Sequence, residues 1–592
     1  MYTKRVQVRR GDRTYTYLKL VQSYRQGGRV RQRVVANLGR EDELKASGQL
    51  EALAGAFARL DPPMAGVRRE VGPLLIVAHL LERLGLASIV ARHLPERLRS
   101  RLSAAEVVVA LIANRLAAPS PLYDVAGWAS GAAMAEIFSI PPMLLNDDRL
   151  GRVLEDFAPV AEAVRGAVML QAVEAFGVDA SRLHLDLTAL RVAGAYEGSS
   201  LVAKGWGAGH GVARQVQALA ATNLQGVPLY VRPERGNAAE LTSIGAAMER
   251  LAALLPPGLV VCADSALGRV KNLCEADRAG LRFVVPLRAD TGFAKRWLDQ
   301  VGPGAMRPLR YVSRREARLP ATERTRYRGT LRPWTVTDPA GGGSRQWRVA
   351  YIWSSEEQRS VAEARARALA KAEAALATVG RGLGGQHYKT KPQVDAKVAQ
   401  ILVPAVRGLI GVTTAGADGR PTLAWSLDQA AIAQASATDG LYALATNLPG
   451  RLTASALLRI YKDQSLVECS HRNAKGTLRV RPVFLHNDDR IEALVSIAGL
   501  ALVVFGLIEL DLRRALGPDE VLEGLLPEGR AARPTGRTIL GAFQGLGLTY
   551  TPDGLVLDRL TATQRRILEL LEVPIPWPEQ GELGRPNCGK RG

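Results

Sequence analysis

The chain has 592 residues, 47% of them apolar, which is too long for one ordinary core and too apolar for a disordered polymer. Its 78 Lys and Arg against 57 Asp and Glu leave a formal charge of +21, a field that favours a polyanion, with nucleic acid first and an anionic membrane second. The four cysteines, Cys262, Cys274, Cys469 and Cys588, form no CxxC pair, which excludes a zinc ribbon and a disulfide framework.

In chain order, residues 1–41 are a basic unit, expected to be a small β-ribbon. Lys4, Arg5, Arg9, Arg10, Arg13, Lys19, Arg25, Arg29, Arg31, Arg33 and Arg40 stand against a single acid, Asp12, before Glu41. Thr14 to Val21 alternate as a strand does, Gln26-Gly27-Gly28-Arg29 marks a turn, and Val30 to Leu38 return. Such a ribbon fits a DNA groove, with Arg25, Arg29, Arg31 and Arg33 as candidate contacts, or it is a solvated edge hairpin. Met1 to Arg10 carry no apolar signal core, so a cytoplasmic location is expected.

Residues 42–180 read as a helical region. Leu74, Leu75, Val77, Ala78, Leu81 and Leu84 recur at helical spacing, and Ala104 to Leu116 and Val153 to Phe176 look alike. From residue 181 the period becomes two, with Leu183, Leu185 and Leu187 alternating with His184, Asp186 and Thr188. Strands at Gln215 to Thr222 and Val227 to Arg232, a helix around Leu241 to Leu255, a buried strand Leu259 to Ala263, a further helix and the strand Arg282 to Pro286 follow. That order, βββ-α-β-α-β over 181–287, predicts an RNase H-like α/β core.

Residues 288–455 interrupt this core as an inserted, mostly β subdomain. It holds strand-like Trp347 to Trp353, a helix from Val361 to Val379 and the loop-strand Asp439 to Asn447. Its Trp425 and Tyr442 either stack on a displaced base or pack in a core. The core resumes over 456–515, with a helix from Ala454 to Lys475 and a long apolar helix from Arg490 to Leu512. The longest apolar run, Ala493 to Ile508, is shorter than the roughly 20 residues a membrane helix needs, so no membrane partner is expected. Residues 516–592 are mixed and end in a Pro- and Gly-rich tail.

Three acids stand out within this frame. Asp186 is mid-strand, and Asp264 ends a buried strand, where α/β sheets place chemistry. Each aspartate is costly to bury unpaired, and a metal gives a reason for both, although Asp264 can equally cap the turn at Ser265. Tyr461, Gln464, Glu468, Arg472 and Lys475 share one helical face. That face can hold a metal and grip phosphates, or it is an exposed face with Glu468 paired to Arg472. Three carboxylates without a thiol or imidazole cage suit hard cations such as Mg²⁺ and the hydrolysis of phosphodiesters.

The segment Tyr461-x2-Gln464-x3-Glu468-x6-Lys475 resembles the Y-x2-R-x3-E-x6-K signature of insertion-sequence transposases in the IS4-like group. Val467-Glu468 and Arg479-Val480-Arg481-Pro482-Val483-Phe484 are similar to its IS1634-like branch. So are His184-Leu185-Asp186-Leu187-Thr188, Val261-Cys262-Ala263-Asp264, Ser23-Tyr24-Arg25 and Asn37-Leu38-Gly39. The resemblance covers about residues 1 to 515 and departs at Gln464, where the signature has Arg. A neutral amide there brings no charge, and Arg472 can supply the missing cation.

The resemblance implies a DDE transposase that cuts the ends of its own insertion sequence and joins the 3′-OH ends to target DNA. Asp186, Asp264 and Glu468 would be its catalytic, metal-binding carboxylates, with Mg²⁺ as the ion and Mn²⁺ as substitute. Tyr461, Gln464, Arg472 and Lys475 would contact the DNA. It also implies double-stranded DNA as partner, a homodimer bridging two ends, association with the bacterial nucleoid, and no small-molecule cofactor. The alternative is a transposon-derived DNA-binding protein without catalysis.

Overall fold

The computed structural model describes the chain apart from residues 1, 11–12, 27–28, 48–65, 95–99, 195, 208–210, 239, 256–257, 266, 314–315, 342, 418–419, 464–484, 486, 518–519 and 582–592. For residues 2–3, 10, 13, 22–26, 29–32, 45–46, 207 and 240–244 only the backbone is described. The chain divides into two compact units, Met1–Glu70 with Leu546–Arg559 and Pro576–Gly592, and Val71–Gly545 with Leu560–Ile575.

In the first unit, β1 (Tyr2–Arg10), β2 (Arg13–Gln26) and β3 (Arg29–Arg40) form an antiparallel three-stranded sheet. Strand β1 escapes the sequence reading because basic residues surround its few apolar ones, Val6 and Val8. A short helix, Glu41–Ala46, follows and buries Leu44, while Leu18 and Val21 are buried on β2. Gly39 of the Asn-Leu-Gly motif takes a φ of 120°, which L side chains rarely adopt. Arg5 meets Glu41 at 2.9 Å, and Arg40 stacks over Tyr15 at 4.4 Å from the ring centre. Arg25 lies on β2, Arg29, Arg31 and Arg33 lie on β3, and the Arg33 side chain is exposed. A second sheet joins β4 (Arg68–Glu70) to Gly547–Thr551 and Gly554–Leu557.

The second unit begins with short helices. Leu74–Arg83 and Leu86–His93 precede α1 (Ala104–Ala117), which starts on a capping box of Ser103 and Glu106. The stretch read as one helix from Val153 to Phe176 is broken. Asp147–Phe157 ends, Pro159 sits in the 3₁₀ turn Ala158–Val160, and α2 (Ala161–Phe176) restarts.

The main sheet follows. Its first strands are β5 (Arg182–Arg191), β6 (Ala203–Gly207), β7 (Gly211–Asn223), β8 (Pro228–Glu234), β9 (Val260–Cys262) and β10 (Arg282–Pro286). Helix α3 (Glu240–Leu254) joins β8 to β9, and α4 (Val270–Arg278) joins β9 to β10. The spatial order runs β10-β9-β5-β7, with β8 also on β7. Strand β9 is parallel to β5 and β10, and β7 is antiparallel to β5. This is consistent with an RNase H-like core.

The sheet continues beyond β10 through β16 (Leu441–Thr446), β13 (Ser344–Ser354), β12 (Tyr327–Thr337) and the two-residue β11 (Arg307–Pro308). Residues 288–455 therefore extend the core sheet rather than making a separate, mostly β body. They also carry much helix. The 27-residue α5 (Ser355–Arg381), α6 (Lys391–Ile401) and the hairpin of β14 (Ile410–Ala415) and β15 (Thr422–Leu427) enclose a small core of their own. Trp425 packs against that core, and Tyr442 packs in the core beneath the main sheet, so both rings serve packing.

Helix α7 (Ala454–Lys462) lies on one face of the sheet, where Leu457 and Leu458 are fully buried with Cys262, Val284, Ala350 and Leu444. Helix α8 (Asp488–Leu516) is longer than its apolar run suggested. By length and composition it could cross a membrane, yet 94% of its apolar window is buried within the protein. It lies close on β8: a Cβ on Gly499 would stand 2.7 Å from the Cβ of Val231.

Candidate active site

Register brings the two aspartates together. Parallel pairing sets Leu183 beside Val261 and His184 beside Cys262. Two residues beyond this last pair stand Asp186, still on β5, and Asp264, in the segment that leaves β9. Both are half-buried, and both engage neighbours in the fold. Because residues paired in register point the same way, His184, Asp186 and Cys262 share one face of the sheet.

That face is covered, not open as the alternation of β5 suggested. His184 is fully buried and Thr188 nearly so. Helix α7, started by Thr453, whose hydroxyl accepts from the Ala456 N–H at 3.1 Å, reaches this face at Cys262. The Cys262 thiol lies 4.0 Å from the Ile460 carbonyl oxygen. Burial pushes that thiol up to about 12, and burial together with the Arg182 charge pushes His184 down to about 4. Neither ring nitrogen of His184 has a hydrogen-bond partner among the described residues. Next along α7, Tyr461 is raised to about 12, first by burial and then by the nearby Asp264 carboxylate. The first residue of the Tyr-to-Lys signature thus stands within electrostatic reach of the second aspartate. Lys462 spans two rings, 5.8 Å from the centre of Tyr327 and 6.0 Å from that of Tyr442.

Two acids that the sequence reading passed over hold the chain on either side of this segment. Asp463 meets Arg182, the first residue of β5, at 3.4 Å. Asp488, at the start of α8, accepts from the Ser199 hydroxyl at 2.5 Å, the Ser200 N–H at 2.7 Å and its hydroxyl at 2.8 Å, and the Leu201 N–H at 3.2 Å. Burial acts to raise Asp488, but these hydrogen bonds prevail and hold it below the usual carboxylate range. Their only sequence signal was position: one closes α7 and the other follows the Asn487 cap of α8.

Glu468, Gln464, Arg472 and Lys475 lie outside the described residues. Among the described residues no three His, Cys, Asp or Glu side chains form a metal-binding group. The donor set still fits a hard divalent ion. Asp186 and Asp264 offer half-buried carboxylate oxygens at neighbouring strands, and the nearby Cys262 thiol is held protonated.

Residues 178–504, more than half of the chain, match the transposase DDE domain. Residues 3–62 match the N-terminal domain of IS1634 family transposases, and residues 68–162 match a domain of unknown function (DUF4277). No curated protein matches the chain. Sheet, paired aspartates and domain match define the class: this is a DDE transposase, a DNA-acting enzyme whose domain generally uses divalent metal ions. Within that class it belongs to the IS1634 family, as the motif resemblance implied.

Proposed function

We propose that the protein cuts the ends of its own insertion sequence and joins the freed 3′-OH ends to target DNA. The observation that carries this reading is the position of Asp186 on β5 and of Asp264 just after the neighbouring parallel strand β9, inside the matched DDE domain. Asp186, Asp264 and Glu468 would hold two Mg²⁺, for which Mn²⁺ can substitute. When bound, such ions activate the attacking oxygen and stabilise the leaving one.

Water attacks the phosphorus at the element end, the P–O3′ bond breaks, and a 3′-OH and a 5′-phosphate result. The 3′-OH then attacks a target phosphodiester, forming one P–O bond as the target's own 3′-oxygen leaves. The chain's part is to place these oxygens. Helix α7, whose Tyr461 lies within electrostatic reach of the half-buried Asp264, supports a site that limits water. Tyr461, Gln464, Arg472 and Lys475 would grip the end, and the Arg-rich residues 1–41 would bind duplex DNA as a homodimer bridges two ends.

The test is purified protein with a plasmid carrying the element's two ends. Mg²⁺-dependent cleavage exposing 3′-OH termini is expected. Binding of the ends without cleavage at any Mg²⁺ or Mn²⁺ concentration would support a DNA-binding protein that has lost catalysis.

A further inference from the structure

The outer end of the main sheet carries a second basic surface. Between residues 307 and 332 the sequence has nine arginines and two glutamates, with no lysine or aspartate. Strand β12 runs through it. Tyr327 and Leu331 point into the core beneath α7, so Arg326, Arg328 and Arg332 stand on the opposite face, and all three are exposed. The loop before β12 adds exposed Arg310 and Arg318.

Beside this strand is a cavity of about 570 Å³, walled by Val312, Arg324, Arg326, Tyr327, Arg328 and Trp353. Arg324 is held by the Leu319 and Ala317 carbonyls, and Arg328 by the Met306 carbonyl. Among the described residues, the side chains of Arg310, Arg318, Arg326 and Arg332 have no hydrogen-bond or ion-pair partner. The nearby acid Glu316 is already engaged by Ser313 and Thr325. Glu323 and Glu356 are the other acids close by, too few to balance the arginines.

One reason for charge here is protection of an open strand edge. Pro333 on β12 already blunts that edge, since it lacks an N–H to offer a passing strand. Edge protection also needs only one or two charges. Unpaired arginines on and just before a rigid strand do something else well: their planar forks match phosphate oxygens.

We infer that the β12 edge and the loop before it form a second binding surface for the phosphate backbone of duplex DNA. It is separate from the Asp186–Asp264 site and from residues 1–41. By strand count β12 is five strands from β5, about 24 Å at 4.8 Å per strand. That span equals roughly seven base pairs of duplex. A duplex entering the active site is long enough to reach it. The inference rests on the DNA-binding reading of the protein but not on its catalysis.

The test uses the full chain, a 30-base-pair duplex of arbitrary sequence and no divalent metal, with affinity followed against salt. Replacing Arg310, Arg318, Arg326 and Arg332 together by Gln is expected to lower the log–log salt slope by about 0.9 for each phosphate that is no longer neutralised. Replacement by Lys keeps the charge and should keep the slope. If the fourfold Gln variant does not fold, Arg326→Gln and Arg332→Gln singly should each lower the slope by about 0.9. A wild-type slope in the Gln variants overturns the inference, and so does a change seen with single-stranded DNA alone. Failure of the DNA-binding reading itself looks different, because the wild-type chain would then show no salt-dependent binding.

Discussion

The interior and the outer end of the main sheet use the same backbone for opposite chemistry. At the β5–β9 pair, parallel strands lead to two half-buried carboxylates, with Tyr461 of α7 within electrostatic reach of Asp264. At the β12 edge, alternation turns arginines outward along an extended line. Acids that must converge are placed by register between strands and are half-buried. Bases that must meet a long polyanion are placed by the period along one strand and stay exposed. A sheet can thus carry a point-like site and a linear one, and the two should respond differently to substitution.

The largest difference is expected in chemistry. Asp186→Asn or Asp264→Asn keeps shape and removes a metal-directed charge, so cleavage should fall to background while duplex affinity is retained. Gel assays of cutting and binding on the same preparations would read both, and cutting at the wild-type rate removes that aspartate from the site. Next comes packing. Leu457→Ala opens a fully buried contact between α7 and the sheet and should cost about 2–5 kcal/mol in urea unfolding. Exposed Arg332→Gln should stay within about 0.5 kcal/mol. Equal costs would mean that the two regions are not built differently.

A third prediction concerns the scaffold behind the active-site half. Burial acts to raise Glu162, but hydrogen bonds from Arg165, Tyr230 and Arg250 prevail and hold it at about 2, against 4.5 unperturbed. Because the folded value is the lower one, the stabilisation is complete above pH 4.5 and is lost as pH falls toward 2. It amounts to at most about 3 kcal/mol. Glu162→Gln should flatten the pH dependence of the unfolding midpoint in that window, and an unchanged slope would refute the assignment. The smallest effect is expected at the partly exposed Arg182–Asp463 pair, where Arg182→Gln should cost under about 1 kcal/mol in stability. If this pair helps hold the segment after α7, the same variant should need more Mg²⁺ for half-maximal cutting. An unchanged Mg²⁺ requirement would leave it a surface contact.

Much of the active-site half was legible in the sequence, because strand period and buried runs mark β5 and β9 directly. Leu183 to Thr188 declared a strand, and Val260 to Cys262 a buried one; only their pairing had to be supposed. What alternation could not show was the cover. His184 alternates with leucines like a polar-face residue, yet it is fully buried by tertiary packing that local pattern does not show. The extension of the sheet by β12, β13 and β16 was hidden for the same reason, since local pattern does not say which sheet a strand joins. The arginines of 307–332 were plain in composition, but their shared outward face became visible only once Tyr327 and Leu331 were seen to point inward. Asp463 and Asp488 carried no motif at all, and their partners are set by tertiary folding.

The central claim is that Asp186 and Asp264 share a divalent metal with Glu468. Mn²⁺ binding followed by electron paramagnetic resonance, on the full chain with duplex DNA present, tests it most directly because it does not require turnover. Wild-type protein should bind Mn²⁺ with saturation, and Asp186→Asn, Asp264→Asn and Glu468→Gln should each abolish that binding while the protein stays folded. Wild-type Mn²⁺ binding by both aspartate variants would contradict the account.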